Sequence, residues 1–114
     1  VVKFDHISGH FNLVSDELKN RLSSYQRGKE KFKVGISVDP ETRWIKHSRS
    51  QHQWNKMVVL YESSSHSIIS QAETELIKYS QDRFPDSCQN KVSGGGGINV
   101  PYLYEKFYLY LLLK

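Results

Sequence analysis

Apolar and polar positions along this chain change period repeatedly, and each change predicts an element. Residues 1–14 are β-branched and aromatic, broken by Ser8-Gly9, and read as a short extended arm or hairpin. From Ser15 the period becomes helical: Leu18, Leu22 and Tyr25 fall at i, i+4 and i+7. Ser15 stands where an N-cap would, Asp16 and Glu17 suit the positive end, and Gly28 supplies a stop, so the pattern predicts a helix over 15–27. Residues 31–38 (KFKVGISV) alternate as a strand does. Asp39-Pro40 then opens a helix over 40–49, with Asp as cap and Pro in the first turn. After a polar loop, residues 56–62 (KMVVLYE) form the continuous apolar run of a central strand. Three serines at 63–65 cap a helix over 66–82, whose stripe is Ile69, Ala72, Leu76 and Ile77. A loop over 84–97 ends in four glycines. Residues 102–113 make a last strand, with Tyr102, Tyr104, Tyr108 and Tyr110 on one parity and Leu103, Phe107, Leu109 and Leu111 on the other. The expected fold is α+β, a small, mainly antiparallel sheet of three or four strands flanked by about three helices.

At 114 residues the chain suits one domain, 1–114, around one core. A net charge of +4 leans toward polyanionic partners, though charge alone does not identify them. Cys88 is the only cysteine, which excludes an intrachain disulfide and a thiolate zinc cluster and favours an intracellular setting, cytoplasmic or nuclear. No apolar run is long enough to span a bilayer and no signal peptide is visible, so a membrane is not expected. The start at Val1 rather than Met suggests a fragment of a longer protein with further domains.

Glu73 is the most informative residue. It lies four after Ile69 and four before Ile77, inside the apolar stripe, whereas Glu75 lies well off it. A carboxylate on the core side of a helix costs several kcal/mol, roughly, unless it is paired or holds a metal. Arg43 and His47, at i and i+4, share a face of the preceding helix, whose start lies close to Lys33 and Gly35. Each feature has a plainer explanation when taken singly: a paired carboxylate, or a solvated basic helix with Trp44 in the core. His6 and His10 are separated by Ser8-Gly9, which argues against a helical ligand pair, and they receive no role. SGGGG at 93–97 lacks the Gly-Lys-Ser/Thr ending of a phosphate loop and serves equally well as a linker. No Ser-His-Asp set or paired catalytic carboxylates stand out.

In order and spacing, the segments from 31 to about 92 resemble the GIY-YIG nuclease superfamily. KVG at 33–35 matches the second half of the family's name, Arg43 and His47 in VGISVDPETRWIKH match its arginine and later histidine, and ETELI matches its glutamate helix and selects Glu73. Asn90 in QNKVSGGGG matches its asparagine. Two departures stand out. Lys33 replaces the second-motif tyrosine, as in some restriction endonucleases of this type, and no clean GIY strand precedes it. Tyr25 lies upstream but in a helical pattern. The C-terminal strand offers Tyr108 or Tyr110 in its place.

The resemblance implies a metal-dependent endonuclease acting on nucleic acid, chiefly DNA, with Lys33, Arg43, His47, Glu73 and Asn90 as site residues. Glu73 would hold one Mg2+ (or Mn2+), Arg43 would face the phosphate oxygens, and Lys33 or a tyrosinate would prepare the water. His47 would assist, and Asn90 would position either the glutamate helix or the substrate. The competing expectations are a catalytically inactive nucleic-acid-binding module that keeps the fold, and a protein-interaction domain using the tyrosine-rich strand as an edge.

Overall fold

The structure is a computed structural model describing residues 2–51, 53–91 and 106–114. The glycine run at 93–97 and Tyr102 and Tyr104 lie outside the described residues. The elements, in chain order, are β1 (Val2–Ile7), α1 (Phe11–Gln26), β2 (Phe32–Ser37), α2 (Pro40–Ser48), β3 (Lys56–Ser63), α3 (His66–Arg83) and β4 (Phe107–Leu113). The four strands form one sheet in the order β1-β3-β4-β2. The β3–β4 and β2–β4 pairs are antiparallel and β1–β3 is parallel, so this is an α+β fold with a mixed sheet and three helices.

Local chemistry explains most boundaries. Asp39 caps α2 by accepting from the Thr42 amide at 3.2 Å, with Pro40 in the first turn. Ser65 caps α3 through the Ile68 amide at 3.3 Å. Gly28, at φ +76°, takes the left-handed turn just past α1. The start of α1 departs from expectation. The helix begins at Phe11, and Ser15 lies inside it rather than at its cap. His10 occupies the cap position without a side-chain bond. Burying Phe11 against Tyr61, ring centroids 6.1 Å apart, adds a turn that no capping signal marked. Of the two forms expected for the opening segment the extended one holds over Val2–Ile7, as a strand paired in parallel to β3 far along the chain.

The sheet separates two packed layers. On one face α1 and α3 lie over Phe32, Val34, Ile36, Val58, Leu60, Leu109 and Leu111. The other carries Trp54, Met57, Val59, Tyr110 and Leu112, packed by Trp44 of α2 and by Val2 and Tyr108. The register of β3 against β4 shifts between Val59 and Tyr61. An extra residue there reverses the side-chain alternation. Tyr61 therefore joins the helix-covered core, donating to the Gly9 carbonyl at 2.6 Å. Glu62 turns to the other side, where it meets His6 at 2.9 Å and Lys106 at 2.9 Å.

One pairing is unusually close. Gly35 of β2 stands opposite Tyr110 of β4. A Cβ at Gly35 would press on the Tyr110 hydroxyl and come within 2.5 Å of its Cζ. Glycine is required here by the space a ring occupies, not by backbone conformation. Gly35→Ala is expected to lose roughly 1–3 kcal/mol of stability, the usual range for overpacking. In a Tyr110→Ala background the same change is expected to cost almost nothing. A denaturant-unfolding double-mutant cycle checks this, and an equal cost in both backgrounds would show that the ring is not what excludes a side chain.

Candidate functional site

Two helices bring polar and charged side chains to act on the Tyr110 hydroxyl. Tyr110 is 3% exposed, beneath α2. His47, near the end of that helix, places Nε2 3.1 Å from the phenol oxygen, with ring centroids 5.9 Å apart. Arg43 sits one turn earlier on the same helix, as the i, i+4 spacing requires. Its guanidinium acts on the phenol as a nearby positive charge and favours the phenolate. From α3, the Glu73 carboxylate acts in the opposite sense. Burial dominates both and pushes the Tyr110 phenol up to about 12.

Glu73 is 6% exposed, a buried carboxylate on the stripe of α3. No ion pair among the described residues involves it, and burial raises its carboxyl above the ordinary range. Glu75, by contrast, is exposed and reaches Lys19 at 3.7 Å. Glu73 thus lies on the buried stripe of α3 and Glu75 off it. Lys33 lies on the Tyr110 side of the sheet, opposite Leu112 and one step along β2 from Gly35. It is exposed, so it faces any ligand as a positive charge.

Asn90 occupies a different place. Its Oδ1 accepts from the Val34 amide and its Nδ2 donates to the Val34 carbonyl, both at 2.9 Å. Its own carbonyl accepts from Gln81 of α3 at 3.2 Å. The side-chain amide thus continues the sheet pairing beyond the β2 edge and clips α3 to it. Of the two roles left open in the sequence, this arrangement serves positioning of the glutamate helix.

The three candidate tyrosines are separated by geometry. Tyr25 is tied to Asp5 by a hydrogen bond, and Asp5 in turn holds Arg21 of α1. Tyr108 packs edge-on to Phe4 and His6. Tyr110 alone of the three contacts His47. The His6–Glu62–Lys106 group was not foreseen, because it arises from the parallel pairing of β1 and the register shift in β3. No local pattern marks either.

Among the described residues, no group of three or more His, Cys, Asp or Glu side chains converges as a metal cage. A cation held as the resemblance implies would rest on Glu73 alone. A desolvated carboxylate in no ion pair among the described residues fits that task, and one carboxylate suits Mg2+, which keeps several waters. Among the described residues no helix is long and apolar enough to cross a membrane. Neither protein-family models, nor curated proteins, nor solved structures give a match to this chain.

The state of Glu73 has a measurable consequence. With its carboxyl raised in the fold, the native chain binds that proton more tightly than the unfolded chain. Stability from this group is therefore full below the ordinary value of 4.5 and falls as pH rises through the raised one. Glu73→Gln is expected to raise Tm by a few °C at neutral pH, with the gain fading in acid. Thermal melts across this range check it. A Tm unchanged or lowered at neutral pH would mean that the carboxylate is solvated or paired.

Proposed function

We propose that this domain is a metal-dependent endonuclease that hydrolyses phosphodiester bonds in DNA, with its site built around Tyr110. The carrying observation is a buried phenol in contact with an imidazole, on whose charge a guanidinium of α2 and a buried carboxylate of α3 act in opposite senses, with Gly35 leaving room for the ring. Structural ion pairs also perturb titratable groups, but they neutralise one another, and here Glu73 has no such partner among the described residues.

Each group has a job in phosphodiester hydrolysis. Arg43 offers a rigid, planar fork to the non-bridging phosphate oxygens, where charge builds in the transition state. A phenol raised to about 12 is not ionised at neutral pH, so a free tyrosinate is not the resting base. Tyr110 instead takes a proton from the attacking water as it passes its own to Nε2 of a neutral His47, 3.1 Å away. The water oxygen forms the new bond to phosphorus and the bond to the leaving sugar oxygen breaks. Glu73 would hold a divalent cation, which would supply Lewis-acid stabilisation of the phosphate and the leaving oxygen. Lys33 adds positive charge beside the water on the exposed side of β2. Asn90 holds α3, and with it Glu73, against β2.

A non-catalytic binding module is the second reading, favoured by the 3% exposure of Tyr110, which leaves a substrate little access to the phenol. Turnover decides between them. In a magnesium-dependent plasmid-nicking assay, Tyr110→Phe, Glu73→Gln and Arg43→Lys are each expected to slow cleavage by about 100-fold or more, while Tyr108→Phe leaves it near wild type. Equal nicking by wild type, Tyr110→Phe and Glu73→Gln removes the assigned site, and no nicking by wild type with any divalent cation leaves the binding module.

A further inference from the structure

The lysines are not spread evenly. The pairing brings the start of β2, the start of β3 and the end of β4 to one end of the sheet, with Phe32 and Lys56 both opposite Leu113. The Lys114 amide donates to the Lys31 carbonyl at 3.0 Å, and the Glu30 amide donates to the Lys114 carbonyl at 2.9 Å. The parallel strand adds Lys3 beside Val58. Lys3, Lys29, Lys31, Lys33, Lys56 and Lys114 therefore gather there, from four separate stretches of sequence. None of the six makes an ion pair among the described residues. The nearby acids are few: Asp5 is occupied by Arg21 at 3.2 Å and by Tyr25, which leaves Glu30. Lys31 is propped over the buried Trp54 ring, 5.0 Å from its centroid, and Lys56 lies 6.0 Å from the Tyr25 ring. Asp39, Glu41 and Glu62 lie toward the opposite end, at the start of α2 and the end of β3. A sheet that gathers lysines outside ion pairs at one end, and Asp39, Glu41 and Glu62 at the other, has a direction, and the Tyr110–Gly35 rung stands between the two.

We propose that this lysine end is the track for the nucleic-acid backbone on one side of the scissile phosphate, so that substrate leaves the Tyr110 site past Lys33 toward Lys31, Lys29 and Lys114. The proposal deepens the nuclease reading and rests on it for the position of the scissile phosphate. Four residues of β-structure separate Gly35 from Lys31, about 13 Å at ~3.3 Å per residue. That length matches roughly three or four phosphates at ~3.4 Å of helical rise each. Nucleic acid is favoured over other anionic partners because Lys33, Lys31 and Lys114 continue in line from the rung that carries the phenol, on the side of the sheet that Arg43 and His47 also face, while Lys3 and Lys56 turn to the Tyr25 side.

The test measures binding of a fluorescent DNA duplex to the full chain carrying Glu73→Gln, so that no cleavage intervenes, over a range of salt. Adding Lys29→Gln, Lys31→Gln and Lys114→Gln together is expected to flatten the slope of log K against log salt by about 2–3, since each released phosphate contact contributes ~0.9. Lys19→Gln, Lys78→Gln and Arg83→Gln, on the helices of the other face, are expected to leave it unchanged. An unchanged slope in the first triple variant, or equal flattening in both, overturns the track. So does binding to vesicles of anionic phospholipid without binding to the duplex. The two proposals fail separately. If the chain without Glu73→Gln binds with the full slope but never cuts, the nuclease reading falls and the track stands. If it cuts while the first triple variant keeps the wild-type slope, the reverse holds.

Discussion

The contact on which the rest depends is that of the Tyr110 ring with the bare backbone of Gly35. It lets β2 and β4 pair with an aromatic ring lying across the interface instead of standing off it. A side chain at position 35 would push the ring away or open the strands. With the ring held there, α2 settles on the same face with Trp44 in the core and His47 on the phenol. Arg43 follows from the helical repeat. One missing Cβ therefore fixes a strand pair, a helix position and the surroundings of a hydroxyl.

Glu73 is the opposing constraint. A folded domain gains by burying Leu and Ile side chains, each worth about 1.5–3 kcal/mol, and α3 does so with Ile69, Leu76 and Ile77. Glu73 shares that buried stripe and gives up part of the gain. The proposed metal role would account for that cost, since functional sites trade stability for chemistry. Asn90 makes the cost tolerable in a mechanical sense: its amide ties the β2 edge, and its carbonyl ties α3, so the glutamate helix cannot drift from the strand that carries Gly35.

Much of the fold was legible because its signals are local. Asp39-Pro40, the serines before α3 and the glycine after α1 act within four residues of themselves, and the elements they bound match the expected ones to within a residue or so. The start of α1 was missed because its cause, the packing of Phe11 on Tyr61, spans fifty residues of chain. The parallel seat of β1 and the register shift in β3 were missed for the same reason, and with them the His6–Glu62 pair.

The sequence by itself determined which residues could serve a site: a carboxylate inside an apolar stripe, an arginine and histidine one turn apart, a lysine two before a glycine. Periodicity is a property of the chain, so these relations hold wherever the elements end up. It could not choose among Tyr25, Tyr108 and Tyr110, since all three sit in plausible local patterns. Only the tertiary structure put Tyr110 opposite Gly35 and under His47, and only it drew six lysines from four stretches to one end of the sheet. Strand pairing is a contact between distant segments, fixed by how the whole core packs, and no window of sequence contains it.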